Sequence, residues 1–315
     1  MMNNCILTFN LMGVNINYSY DDSQVIARIY AMHRKNFSTL ESEHIDGNII
    51  FIHDENKTYA HYDDNCSTLY IYGRHEDFSS GRALYYIAVY MAECIAALKN
   101  NRIIIHASAA YSNKTRKSYI LLGEKGSGKT TLLYYLCKNL GLEFICNDHA
   151  VISSYDNKLF LHGGDKFFRF RETAVKLSNY AEIKTYKKNF LPSWNNKEEI
   201  SPSELGIKIH ETISNVKNIY HIRIDSQQEE TFNAIWSGTQ QSLLLHEKLG
   251  REITGQTAPF VDDYGKYFGS LPLINLHKTL PVRDSLVQLL IKTGIREIFA
   301  NSVENIVSVI KEDII

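Results

Sequence analysis

The residues Gly123-Glu124-Lys125-Gly126-Ser127-Gly128-Lys129-Thr130 follow the pattern G-x-x-x-x-G-K-[ST] at every position. Such a run has one chemical use, which is to hold a phosphate. Glycines at 123, 126 and 128 let the backbone wrap so that N–H groups point inward, where side chains would obstruct them. A helix opening at the end of the loop adds the positive end of its dipole. Lys129 supplies a mobile charge for β and γ oxygens, and Thr130 offers a hydroxyl to Mg²⁺. Lys125, Ser127 and Thr131 complete the stretch expected to touch the nucleotide. The motif requires a strand before it and a helix after it, and SYILLG and TTLLYYL supply both. The sequence therefore predicts a site for ATP with Mg²⁺.

A Mg²⁺ nucleotide site calls for a carboxylate at the end of a neighbouring strand, to hold the metal or its water and to handle the acceptor's proton. In LEFICNDHAVI, Asp148 stands directly after an apolar run and soon after the loop. It is the candidate metal ligand, with Thr130, and the candidate base; the alternative is an ordinary turn aspartate. His106 sits in or at the end of the apolar run RIIIHASAAY, either functional or a hydrogen-bonded core residue. Arg169 and Arg171 alternate with Phe168 and Phe170, so both leave one side of a strand, as a phosphate or carboxylate clamp or as a solvated face. The remaining histidines, His149 and His162 included, form no metal-ligand spacing.

The elements that must position these groups are legible in outline. Residues from Met1 to about Asp77 alternate in short segments such as CILTFNL, GNIIFIHD and STLYIYG, which predicts an antiparallel β region. Ser79-Ser80 can cap a helix over GRALYYIAVYMAECIAALKNN, with Ala83, Ile87, Tyr90, Met91, Cys94 and Leu98 on one face. RIIIHASAAY and KSYILLG read as a hairpin closed by SNKTRK, LEFIC as a buried strand, and AVISSYDNKLFLHGG as a hairpin around Asp156-Asn157. A strand NIYHIRI and a helix over about Glu230 to Leu249 follow. The predicted division is a β-rich recognition domain over 1–100 and an ATP-binding catalytic domain over 101–315.

Bulk properties exclude some classes. With 44% hydrophobic and 22% charged residues in 315, the chain has enough apolar content for a buried core, which argues against disorder. A net charge of -1 offers neither a basic field that would argue for nucleic acid nor a strongly acidic surface that would argue against it. The five cysteines are widely spaced with no Cys-x-x-Cys pair, which predicts reduced thiols in the cytoplasm. The start MMNNCILTFNLMG lacks a signal-peptide layout, and no apolar run approaches membrane length.

The stretch IIIHASAAYSNKTRKSYILLGEKGSGKTTLLYYLCKNLGLEFICNDHAVI resembles the HPr kinase/phosphorylase superfamily, with its upstream HA or HG strand, hairpin, Walker A loop and early DD strand end in this order. LHGGDKFFRFRETAV is similar to the segment that follows in the smaller peptide-modifying relatives. The resemblance covers about Arg102 to Leu177. It implies an α/β P-loop kinase core, a mixed sheet with flanking helices, preceded by a β-rich α+β domain. It also implies ATP-dependent phosphorylation of a serine in a peptide or protein, such as a ribosomal natural-product precursor. Lys129 and Thr130 would then hold phosphates and Mg²⁺, Asp148 would act as an acid of the DD pair, and His106 would match the upstream family histidine. The sequence departs at Asn147, where the family pattern has a second acid. A small-metabolite kinase, an NTPase and a nucleotide-dependent binding protein are the other readings; a homo-oligomer is compatible with all of them.

Overall fold

The computed structural model describes residues 5–36, 44–171, 197–249, 259–271 and 276–314. They sort into two units, Met1–Ile104 with Glu247–Leu286 and Ile105–His246 with Val287–Ile315. The first unit is discontinuous in sequence and takes back a segment that lies far beyond residue 100.

In the first unit a sheet runs in the order β1-β2-β3-β5-β4. Its strands are β1 (Cys5–Leu11), β2 (Val14–Tyr20), β3 (Gly47–His53), β4 (Tyr59–Asp63) and β5 (Thr68–Gly73). The pairs β1–β2 and β4–β5 are antiparallel, but β2–β3 and β3–β5 are parallel, which corrects the all-antiparallel expectation. A parallel pair needs a crossover. Helix α1 (Ser23–Asn36) supplies the one between β2 and β3 and buries Val25, Ile26 and Ile29. Those apolar residues stand among Arg, Gln and other polar neighbours, so the helical period is faint in the sequence.

Helix α2 (Arg82–Asn100) forms where the spacing predicts it, with Ala83, Ile87, Met91 and Cys94 buried. Tyr90 is only half-buried and Leu98 is exposed, while Leu84, Ala88, Ala92 and Ile95 are buried as well, so the covered surface is wider than one stripe. The cap combines the expected Ser80, whose Oγ accepts from Arg82 N at 3.2 Å, with a residue from far along the chain. Gly81 is the N-cap at φ 73, and Asp263 accepts from Ser80 N at 2.6 Å and Ala83 N at 2.8 Å. A carboxylate there satisfies first-turn donors and meets the positive helix end. Asp263 lies between β16 (Pro259–Val261) and β17 (Tyr267–Ser270), an antiparallel pair. Strand β6 (Arg102–Ile105) ends at the boundary between the units.

The second unit carries the loop. β7 (Ser108–Ser112) and β8 (Lys117–Leu122) form the predicted hairpin, followed by α3 (Lys129–Leu140) and β9 (Glu143–Cys146), which is antiparallel to β7. β10 (Ala150–Tyr155) and β11 (Lys158–Gly164) close through Asp156 and Asn157, both at positive φ, as a two-residue hairpin turn demands. β12 (Phe168–Arg171) pairs with β13 (Lys197–Ile200). β14 (Ser214–Ile224) is the central strand: it is antiparallel to β11 at its start and parallel to β8 and β18 (Ile295–Ala300) further on. The helix expected over 230–249 is shorter, because residues 232–235 form β15 (Phe232–Ile235) against β18; α4 (Gly238–Lys248) follows. α5 (Leu276–Thr293) and α6 (Val303–Ile314) complete the described helices.

Strand directions decide where the chemistry collects. β8, β14 and β18 are mutually parallel, and β8 and β9 are both antiparallel to β7, so all four C-terminal ends emerge at one end of the sheet. Leu132, Leu133 and Leu136 of α3 and Ile306 and Ile310 of α6 share a core with Leu121, Tyr220, Ile222 and Ile298 of the sheet. That burial, about 1.5–3 kcal/mol per large apolar side chain, fixes α3 and hence the loop before it.

Candidate functional site

The loop between β8 and α3 uses its glycines for space and for backbone conformation. Gly123, Gly126 and Gly128 have φ of 153, 91 and 93, a region that side chains rarely tolerate. A Cβ on Gly123 would stand 2.6 Å from the Ile222 carbonyl oxygen, and one on Gly128 2.5 Å from Ile224 Cδ1. The loop is strapped to the end of β14 by Ile224 N–H, which donates to Ser127 O at 2.9 Å. Lys129 is buried and donates to the carbonyls of Gly123 at 2.7 Å and Glu124 at 3.1 Å, so its charge is held inside the turn. The Ser127 hydroxyl is buried with no hydrogen-bond partner among the described residues. The first helical bond of α3 runs from Leu132 N to Gly128 O, which leaves the N–H groups of Lys129, Thr130 and Thr131 outside the ladder. Lys125 is exposed and Thr131 half-buried.

The end of β9 meets this loop through Asn147. Asn147 is fully buried; its Oδ1 accepts from Thr130 Oγ1 at 3.1 Å and from Ser108 Oγ at 2.9 Å. Its Nδ2 is buried without a partner among the described residues. Asp148 follows at φ 72, left-handed backbone that aspartate tolerates better than most residues, and its carbonyl accepts from Ala107 N at 3.1 Å. That bond sets His106, in the turn between β6 and β7, beside His149; their rings meet edge to face with centroids 6.0 Å apart. Asp148, His106 and the loop are thus brought to one end of the second unit's sheet.

A second carboxylate is present, but from an unforeseen place. Asp165 follows β11, is 1% exposed, and exchanges backbone bonds with the strand end: its N–H donates to His149 O, and its carbonyl accepts from Asn147 N. Its Oδ2 lies 2.9 Å from His149 Nδ1 and 2.7 Å from Arg169 Nη1. Arg169 also reaches Asp148 Oδ2 at 3.7 Å and Glu199 Oε1 at 3.1 Å. Burial pulls the Arg169 guanidinium pKa down, but Asp165, Asp148 and Glu199 outweigh it and hold it above the ordinary arginine value. Phe168 and Phe170 turn into the core from the opposite side of β12. Arg169 is therefore an internal ion-pair hub and not a solvated residue; the side chain of Arg171 lies outside the described residues.

The signal for Asp165 was the pair of glycines before it. Gly164 has φ 154, and a Cβ there would collide with the His149 carbonyl, so the chain approaches Asn147–His149 as closely as only glycine permits. Among the described residues no group of three or more His, Cys, Asp or Glu side chains is arranged to hold a metal. Cys66, Cys94, Cys137 and Cys146 are free thiols, and burial pushes the Cys94 thiol up to about 12. No described helix is long and apolar enough to cross a membrane.

No protein-family model matches the chain, and no curated protein matches it in sequence. A solved structure of the Hpr(Ser) kinase/phosphatase from Coxiella burnetii aligns with 42% of this chain and 76% of its own, at 14% identity and a TM-score of 0.25. A similarity of that extent carries no argument.

Proposed function

We propose that the second unit binds ATP with Mg²⁺ at Gly123–Thr131 and transfers the γ-phosphoryl group to a hydroxyl, that of a serine in a peptide or protein. The observation that carries this is the loop itself: glycines where a Cβ would strike β14, Lys129 held within the turn, and a buried Ser127 hydroxyl awaiting a partner. These features fit a phosphate, which accepts several hydrogen bonds at once.

Bound Mg²⁺ would neutralise charge developing on the phosphoryl oxygens. This chain's own residues do the rest. Lys129 would exchange the Gly123 and Glu124 carbonyls for phosphate oxygens, and Thr130 and Asp148 would hold the metal. Asn147 keeps Thr130 and Ser108 in place at the strand end. Asp148 or its neighbour His149 receives the acceptor's proton, with Asp165 orienting His149. Where the sequence resemblance looks for a second acid at Asn147, Asp165 supplies a nearby carboxylate, paired with His149 and Arg169.

The test follows melting temperature with ATP, with and without MgCl₂, and transfer of γ-labelled phosphate to candidate serine peptides. Magnesium-dependent stabilisation and label on serine are expected. Stabilisation with label released only as free phosphate would replace the kinase by an NTPase, and the absence of any nucleotide effect would overturn the site.

A further inference from the structure

At the end of the parallel strands opposite the loop, the second unit has a cavity of about 410 Å³, whose lining includes Asn218, Tyr220, Asn233, Gly294, Arg296 and Asp313. The sheet opens here for a traceable reason. Along one side, β14 is paired with β11 up to Asn215 and with β18 from Ile219, while on the other side its register against β8 shifts between Val216 and Asn218. Gly294 has no atom within 4 Å of where a Cβ would stand, which leaves room at the mouth.

The polar groups are held in fixed positions. Arg296 donates from Nε to Asn233 Oδ1 at 2.7 Å and from Nη1 to Asp313 Oδ2 at 3.0 Å. Tyr220 donates to the same Asp313 oxygen at 3.0 Å and accepts from Asn218 Nδ2 at 2.9 Å. Lys217 is committed to the Asp313 carbonyl at 2.9 Å. After these bonds, Arg296 Nη2 and Asn233 Nδ2 remain as donors, and Asp313 Oδ1 and Asn218 Oδ1 as acceptors, without partners among the described residues. A cation and an anion, each about one-third exposed, thus stand paired in the wall with one face of each still open. A polyanion gains little from a guanidinium already neutralised by a carboxylate. A small zwitterion is matched at both ends, since its carboxylate suits a planar guanidinium and its ammonium a carboxylate.

We propose that this cavity binds a free α-amino acid, its carboxylate on Arg296 and Asn233 and its ammonium on Asp313 and Asn218. Ile235, in the same wall and 79% exposed, offers apolar surface to an aliphatic side chain. The proposal does not depend on the loop or on phosphoryl transfer.

The experiment titrates the full chain with individual α-amino acids by calorimetry, alongside the matching carboxylic acids and amines. Saturable binding of at least one amino acid is expected, with the acid or amine alone at least tenfold weaker. Arg296→Lys keeps the charge but loses the planar fork, and Asn233→Ala removes one donor from an exposed strand position. Each should weaken binding about tenfold, the cost of a hydrogen bond to a charged group, with the melting temperature without ligand serving as the check on folding. No binding by any amino acid, equal binding of the single-charge analogues, or unaltered affinity in a folded Asn233→Ala variant would overturn the assignment.

Discussion

Thr130 donates its hydroxyl to Asn147 Oδ1 at 3.1 Å, and this bond joins the first turn of α3 to the end of β9. An amide oxygen accepts there without adding charge. Asn147→Asp keeps both hydroxyl donors, from Thr130 and Ser108, but buries a second negative charge beside Asp148. The variant should melt lower than the wild type without metal and regain stability with MgCl₂ more than the wild type does. Calorimetric scans at two magnesium concentrations check this, and an unchanged magnesium response would detach Asn147 from the metal site.

Lys129→Ala should abolish ATP-dependent stabilisation. Its two carbonyl partners, one of them buried, lose a charged donor, so stability without nucleotide should fall by about 1–3 kcal/mol. Thermal scans with and without ATP separate the two effects.

Gly128→Ala should cost roughly 2–4 kcal/mol, combining left-handed backbone with a Cβ forced onto Ile224. Gly141 is the control: it has φ 72 at the other end of α3 but nothing within 4 Å of its Cβ position. Gly141→Ala should cost only the left-handed backbone, about 1–2 kcal/mol in urea unfolding.

Arg169→Met should destabilise by about 3–5 kcal/mol, because Asp165 is buried and would lose its cation. The double variant Arg169→Met/Asp165→Asn should recover part of that loss. Additive losses in a double-mutant cycle would mean that the pair is not coupled.

Glu143 supplies a pH test on β9. Burial pushes its carboxyl pKa up, but hydrogen bonds with Asn113 and His210 outweigh this and hold it below its ordinary value of 4.5. A depressed carboxylate adds stability above its unfolded pKa, and that stability is lost as pH falls through the folded value. Glu143→Gln should therefore be less stable than wild type at pH 7, with the difference shrinking from pH 4.5 downward. Urea midpoints over that range measure it.

The loop, its flanking strand and helix, and the Asp156-Asn157 hairpin were legible because each depends on local backbone demands written in adjacent residues. Asp148 was legible for the same reason, as a polar residue ending an apolar run. Asp165 was marked only by the glycines before it, since its proximity to Asn147 and His149 arises from the return of β11 and not from spacing. α1 was missed because Val25, Ile26 and Ile29 make a narrow apolar face, and β15 because four residues within a polar segment carry no decisive period. In the cap of α2, Ser80 was legible and the carboxylate was not, since it lies 180 residues beyond Ala83.

That cap bears on how the chain is made. The first turn of α2 leaves the ribosome long before Asp263 does, so Ala83 N faces water until most of the second unit has been synthesised. During that interval the nascent first unit is incomplete, while the intervening residues gather most of theirs. A long closure of this kind slows folding more than it weakens the product. Chains arrested before Asp263 should expose the start of α2 to proteases, and release of the completed chain should protect it.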